Sequence, residues 1–189
     1  MGAVRTAGLL LAAGQGKRYG MPKALAERDG RRWVDLALDV LRAAGCDPLV
    51  VVLGAAAAEA RAAAVLDGAQ VVENPGWAEG IGSSLRAGLS ALAGTTATAA
   101  VVMLVDTPGV TPEAVRRIAA GATDTALAIA TYAGQDGHPV LLGRAHWAGV
   151  ATLATGDTGA RAYLRAHPEA VRRVPCDDIA TGEDVDTPS

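Results

Sequence analysis

Two lysines, three glycines and an arginine crowd one short stretch of this 189-residue chain. The segment reads Ala12-Ala13-Gly14-Gln15-Gly16-Lys17-Arg18-Tyr19-Gly20-Met21-Pro22-Lys23 and follows an apolar run. Glycines let backbone N–H groups approach a ligand closely and cradle phosphate oxygens, and the cations gather at the same spot. Fifteen of the seventeen basic side chains are arginine, so Lys17 and Lys23 are the only lysines. In such a chain a lysine hints that a compact ammonium is needed. These residue types suit a polyphosphate. Two common versions of such a site do not fit: Tyr19 stands where G-x-G-x-x-G needs its third glycine, and Arg18 stands where a P-loop needs Ser or Thr. An ordinary glycine-rich turn with solvated cations is the plain alternative.

The second signal is Val105-Asp106-Thr107-Pro108, where a carboxylate closes an apolar run. A triphosphate needs a divalent cation, and Mg²⁺ is commonly held by one or two carboxylates plus phosphate oxygens. The alternative is an Asp that merely opens a turn before Pro108.

Both signals need a scaffold, and the pattern predicts one. Continuous apolar runs at Val4–Leu11, Leu49–Leu53 and Ala99–Val105 read as buried parallel strands, with a short strand at Gln70–Val72. Helical spacing predicts helices over Trp33–Ala44, Ala55–Val65 and Ser84–Leu92, and Thr111-Pro112-Glu113 is a helix start. Leu127–Thr131 and Pro139–Leu142 read as further strands. Asp157 or Thr158 is expected to cap a helix carrying Tyr163 and Leu164, and Arg172–Val174 an edge strand. Strand–helix alternation implies an α/β fold of one domain over residues 1–189: a Rossmann-like three-layer sandwich with a mostly parallel sheet. In such sheets ligands bind beyond the carboxyl ends of the strands, where both signals fall.

Composition narrows the function. Half the residues are apolar, and a formal charge of −3 without a basic run argues against nucleic-acid or membrane-surface partners. Cys46 and Cys176 form no CxxC pair or zinc spacing, which points to buried thiols in a reducing, cytoplasmic setting. The apolar run Ala7–Ala13 is too short to span a bilayer. His146 and His167 read as surface residues and Trp33 and Trp147 as packing residues. Trp77 either fixes a loop over the ligand or packs in the core.

Leu11-Ala-Ala-Gly-Gln-Gly-Lys-Arg-Tyr-Gly-Met-Pro-Lys23 closely resembles the L-A-A-G-x-G-x-R-x-G-x-P-K signature of the MobA/MocA-like nucleotidyltransferases, the molybdenum-cofactor guanylyl- and cytidylyltransferase family. The likeness continues through Asn74-Pro75, Trp77, Gly80, Ser83-Ser84-Leu85 and Gly88-Leu89. Asp106-Thr107-Pro108 resembles the family's D-x-P metal motif, and Gly137-His138-Pro139-Val140 its G-H-P-V segment. Gly156-Asp157-Thr158-Gly159-Ala160-Arg161 and Asp184-Val185-Asp186-Thr187-Pro188 complete the series. Six motifs in order span nearly the whole chain. The stretch Glu27–Trp33 departs from the family's pattern, and Gly134-Gln135-Asp136 matches none of its motifs. The chain stops at Ser189, where the family continues, so a loose tail around Asp186 is expected.

The resemblance implies attack of a substrate phosphate on the α-phosphorus of a nucleoside triphosphate, with pyrophosphate leaving. It implies nucleobase contacts from Leu11 and the backbone of Ala12, Ala13 and Gly14. Gly16, Arg18 and Lys23 would hold the triphosphate, Ser83 and Ser84 would lie near base or ribose, and Asp106 and Asp186 would bind Mg²⁺. His138 and Asp157 would line the acceptor side, with Lys23, Arg18 and Asp106 as the catalytic group. Leu11-Ala12-Ala13-Gly14 matches the cytidylyl-transferring members, where guanylyl-transferring ones read L-A-G-G, so CTP is the expected nucleotide. The acceptor would be a small phosphate- or phosphonate-bearing molecule, molybdopterin among the possibilities. The alternatives are an NAD(P)H-dependent oxidoreductase, since some family-like proteins of nicotine catabolism are described as nicotine blue oxidoreductases, and a non-catalytic nucleotide-binding protein. Against the former stand the missing G-x-G-x-x-G and the absence of an acid after Leu53 to hold an adenosine ribose.

Overall fold

Side chains that alternate between the two faces of buried strands build two apolar layers against one sheet in the computed structural model, which describes residues 4–187. Pro188, the last residue of the closing motif, lies outside them. In chain order the elements begin with β1 (Thr6–Ala12), the two-residue strands β2 (Glu27–Arg28) and β3 (Arg31–Arg32), and α1 (Trp33–Ala43). β4 (Leu49–Leu53), α2 (Ala57–Ala63), β5 (Ala69–Glu73), α3 (Ile81–Ala93), β6 (Ala99–Leu104) and α4 (Pro112–Ala119) follow. The chain closes with β7 (Leu127–Tyr132), β8 (Gln135–Gly143), α5 (Trp147–Leu153), α6 (Arg161–Ala166) and β9 (Val171–Pro175).

Seven strands form one sheet in the order β5-β4-β1-β6-β8-β7-β9, with β8 antiparallel to both neighbours and the remaining pairs parallel. On one face Leu10, Val51 and Met103 pack with Val34, Leu38 and Leu41 of α1 and Val115 and Ile118 of α4. On the other, Leu9, Val50 and Val102 meet Leu85, Leu89 and Leu92 of α3, with Trp147 of α5 and Leu164 of α6. The period of two in the strands thus feeds opposite layers, and the expected α/β three-layer sandwich is the observed one. Successive βα units run from β1 outward to β4 and β5, and the chain then returns to β6 on the other side of β1. That reversal opens a crevice at the carboxyl ends of β1 and β6.

Several local expectations hold. Thr111 caps α4, its hydroxyl accepting from the Ala114 N–H at 3.2 Å, with Pro112 at the first helical position. Trp147 is buried, and its indole donates to the Leu142 carbonyl at 2.9 Å. Trp33 is buried against Tyr19. Burial pushes the free Cys46 thiol up to about 11, so it is inert at neutral pH. Among the described residues no helix is long and apolar enough to cross a membrane.

Other expectations need correction. Neither Asp157 nor Thr158 caps α6: the helix starts at Arg161, and the Thr158 hydroxyl donates back to the Thr155 carbonyl at 2.7 Å. Gly159, at a φ of 53°, breaks the chain between cap candidate and helix. His146 and His167 are half-buried rather than free on the surface. His146 bonds through Nε2 to the Thr125 carbonyl and through Nδ1 to the Tyr163 hydroxyl, and the Tyr163 ring stacks on His167. Helix α5 had no sequence signal, because seven residues with two inward side chains show no period. Gly134-Gln135-Asp136 finds its explanation in the turn and first residues of the β7–β8 hairpin, which extends β8 four residues before Pro139.

Candidate active site

β1 ends at Ala12, and the glycine-rich loop turns over the crevice. Gly16 sits at a φ of 62°, and a Cβ there would overlap the Met21 carbonyl oxygen, so this position requires glycine. The Gly20 N–H donates to the Gly16 carbonyl at 2.9 Å and closes the loop. A short 3₁₀ turn, Lys23–Leu25, follows and is pinned by buried Ala24 and Ala26. Lys23 therefore leaves a fixed backbone and reaches back under the loop.

Its ammonium lies between two carboxylates. Lys23 Nζ donates to Asp106 Oδ2 at 2.6 Å and to Asp186 Oδ1 at 2.9 Å. Asp106 follows β6, and the strand pairing is prolonged there by the Val105 N–H donating to the Leu11 carbonyl at 3.1 Å. Asp186 arrives from the far end of the chain. That tail is not loose: the Val185 N–H donates to the Asp106 carbonyl at 2.9 Å and the Thr181 N–H to the Gly109 carbonyl at 3.1 Å. Arg18, though 79% exposed, pairs with the second Asp186 oxygen at 3.2 Å.

The electrostatics follow from this arrangement. Burial works against the Lys23 charge, but the hydrogen bonds and charges of Asp106 and Asp186 outweigh it and hold its pKa above the ordinary value. Lys23, by hydrogen bond and charge, with Arg18 holds Asp186 below the usual carboxylate range. Asp184 goes the other way: burial and the charges of Asp106 and Asp186 raise it. Asp106 Oδ1 is buried and has no hydrogen-bond partner. An acceptor-only oxygen in that state lacks a cation or donor, so Asp106 with Asp186 fits a divalent ion. Among the described residues no group of three or more His, Cys, Asp or Glu could hold a metal, so phosphate oxygens would have to complete its shell.

A cavity of about 430 Å³ opens above this centre, large enough for a small ligand. Leu11, Ala13, Gly14, Gly16, Lys23, Ser84, Asp106 and Asp157 line it, with Lys17, one of the cations expected for a polyphosphate, and with Gln15 and Trp77, which sequence reading left unassigned or undecided. Ala12, Arg18, Ser83 and Asp186 do not line it. Ser83 is committed to the loop: its hydroxyl accepts from Asn74 Nδ2 at 2.8 Å and faces the carbonyls of Gly76 and Gly80. Asn74 also donates to Ser84 at 3.0 Å and accepts from the Gly76 N–H at 3.0 Å. It is the brace of this wall; the sequence marked it only as part of the Asn74-Pro75 motif and gave it no role.

A narrow crevice of about 70 Å³ adjoins the cavity and shares Leu11, Ile81, Leu104 and Asp157 with it. His138 lines it. The β7–β8 register skips His138 and Pro139, a bulge that lifts His138 out of the ladder. Burial, with the charge of Arg161 added and that of Asp106 opposing, pushes its imidazole down to about 4, so the ring is neutral at pH 7. Arg161 shares the crevice. It stands in the motif that supplied Asp157, and only its neighbour was given a role.

A glycine-rich loop and a lysine-bridged acidic pair thus sit together at the switch point of a mostly parallel sheet, the arrangement of a nucleotidyltransferase-type domain. The chain belongs to the MobA-like NTP transferase family: the MobA-like NTP transferase domain matches residues 8–171. It is 39% identical over 188 residues to the nicotine blue oxidoreductase of Paenarthrobacter nicotinovorans, covering 95% of this chain and 91% of that one. The structure of Rv0371c from Mycobacterium tuberculosis H37Rv is 36% identical, with a TM-score of 0.82 over 98% of this chain and 95% of that one. A complex of Rv0371c with manganese is 34% identical, at a TM-score of 0.75 over 92% and 89%. The inositol-1-phosphate CTP transferase from T. maritima, 16% identical, shares the fold at a TM-score of 0.75 over 99% and 91%.

Proposed function

We propose that this chain is a cytidylyltransferase that moves CMP from CTP to a small phosphate- or phosphonate-bearing acceptor, uses Mg²⁺, and releases pyrophosphate. The observation that carries this reading is the ammonium of Lys23 between Asp106 and Asp186, beside an orphaned Asp106 oxygen, under the glycine-rich loop. When bound by Asp106 and Asp186, the cation would neutralise triphosphate charge. The manganese complex of the mycobacterial relative supports the use of a divalent ion.

The remaining steps belong to the chain's own groups. Ala13, Gly14, Gln15 and Gly16 line the cavity, where free backbone N–H groups would suit phosphate or base edges, while Lys17, Arg18 and Lys23 supply positive charge. An oxygen of the acceptor's phosphate attacks the α-phosphorus, and the bond from that phosphorus to the bridging oxygen of pyrophosphate breaks. Such transfer requires positioning and charge stabilisation more than covalent help from the protein. Neutral His138 and Asp157 border the crevice from which the acceptor would approach. The methyl of Ala13, on the cavity wall, narrows the shelf for a base and favours a pyrimidine by about 1–3 kcal/mol.

Pyrophosphate release, measured with each nucleoside triphosphate, Mg²⁺ and a panel of phosphate-bearing acceptors, tests the reading. CTP should be preferred, and Asp106→Asn should abolish Mg²⁺-dependent turnover. Calorimetric binding of GTP tighter than CTP would overturn the base assignment alone. The name carried by the 39% identical relative favours a second reading, NAD(P)H-dependent reduction. Consumption of NAD(P)H without pyrophosphate release from any nucleotide would replace the first reading with the second.

A further inference from the structure

The carboxyl edge does not end at His138. Past the narrow crevice it opens into a groove of about 480 Å³ between the β7–β8 hairpin, α6 and β9. Ile129, Asp136, Arg161 and Leu164 line both spaces, so the groove adjoins the crevice as the crevice adjoins the nucleotide-side cavity.

Charge distinguishes the groove from the crevice. Arg161 and Arg165 come from α6 and Arg173 from β9, against the single carboxylate of Asp136. Arg173 engages that carboxylate at two points, at 2.9 and 3.1 Å, which fixes its guanidinium plane. Among the described residues Arg161 and Arg165, one helical turn apart, have no ion-pair partner. Arginines on a convex surface would ordinarily be solvated charges. Here three converge on one concavity with an excess of positive charge, and the guanidinium fork matches carboxylate and phosphate oxygens. Arg161 stands at the junction, where its charge is felt by His138 and by Asp184 next to the catalytic carboxylates.

We infer that the acceptor is anionic at two ends: Arg161 faces the reacting phosphate, and Arg165 with Arg173 holds a second anionic group, carboxylate or phosphate, in the outer groove. The inference rests on the nucleotidyl-transfer reading for which end reacts, but the outer anion subsite is testable without turnover. Butyl phosphate, tetramethylene bisphosphate and octamethylene bisphosphate serve as probes, with dissociation constants measured on the full chain by calorimetry. A charged contact to a guanidinium should make at least one bisphosphate about tenfold tighter than butyl phosphate. The double variant Arg165→Gln/Arg173→Gln should lose that advantage and bind butyl phosphate as the parent does. Any binding of a probe under the glycine-rich loop is common to both proteins and cancels. Arg165→Gln alone breaks no ion pair and should remove several-fold of the advantage, which guards against a fold defect in the double variant. No advantage of either bisphosphate in the parent, or an equal advantage in the variants, overturns the subsite. Failure of pyrophosphate release with every nucleoside triphosphate would instead sink the transfer reading and leave the binding result standing.

Discussion

Replacing Lys23 by Met separates the two things its ammonium does. Methionine keeps most of the side-chain volume and deletes the charge. The side chain of Lys23 is 11% exposed, that of Asp106 19% and that of Asp186 40%. Breaking a fully buried pair costs about 3–5 kcal/mol, and breaking an exposed one about 0–1. This pair lies between those limits, so Lys23→Met should lose roughly 2 kcal/mol of stability without metal. The loss leaves two carboxylates facing each other, and both Asp106 oxygens then lack the ammonium. A divalent ion relieves the same repulsion, so ammonium and cation draw on the same two carboxylates. Mn²⁺ should therefore bind Lys23→Met more tightly than the parent, and each tenfold of tightening adds about 1.4 kcal/mol to stabilisation at saturating metal. Turnover should move oppositely, falling ~10²–10³-fold as positive charge near the transferring phosphoryl group disappears. Urea unfolding with and without Mn²⁺, and Mn²⁺ binding followed by electron paramagnetic resonance, read both effects in the absence of nucleotide. A variant as stable as the parent without metal, or one that binds Mn²⁺ no better, refutes the bridging role.

His138 gives a pH signature. Its imidazole is held down at about 4 from an ordinary 6.5; below 6.5 the unfolded chain takes up a proton that the folded chain refuses. The stability it contributes is thus full above pH 6.5 and drains as pH falls towards 4, by roughly 3 kcal/mol over that span. His138→Gln should remove this slope, so the difference in unfolding free energy between parent and variant should shrink as pH drops from neutral, and a constant difference in urea titrations would contradict it. Asn74→Ala should cost about 2–3 kcal/mol in the same assay, because it deletes bonds to Ser83, Ser84 and Gly76 in a buried wall; a loss below about 0.5 kcal/mol would mean the wall does not depend on it.

What could be read from residues alone divides along a physical line. The parallel strands β1, β4 and β6 are buried on both faces, so each is a continuous apolar run, and a loop after such a run must lie at the carboxyl edge. Lys23 and Asp106 were legible for that reason. Asp186 was named from a motif, but its company was not legible: nothing in the spacing says that Val185 donates to the Asp106 carbonyl and ties the tail down. Short elements were the weakest part. A seven-residue helix such as α5 exists because Trp147 and Val150 fill a layer, which is tertiary packing and leaves no period to find.

The site's two sides were unequally legible because the sheet builds them by different rules. On the nucleotide side, successive parallel units deliver a glycine-rich loop and a strand-end carboxylate to one edge, and local sequence encodes each. On the other side the sheet reverses direction at β8, and a bulge at His138-Pro139, a broken helix start at Gly159 and the strand β9 meet only in three dimensions. Arg161, Arg165 and Arg173 accordingly look like scattered surface charges in the sequence and form one lining in the fold. On the proposed reading, the half that would choose the acceptor is the one built by long-range packing. Substitutions in the glycine-rich loop should therefore change whether transfer occurs, whereas those along α6 and β9 should change which acceptor is taken.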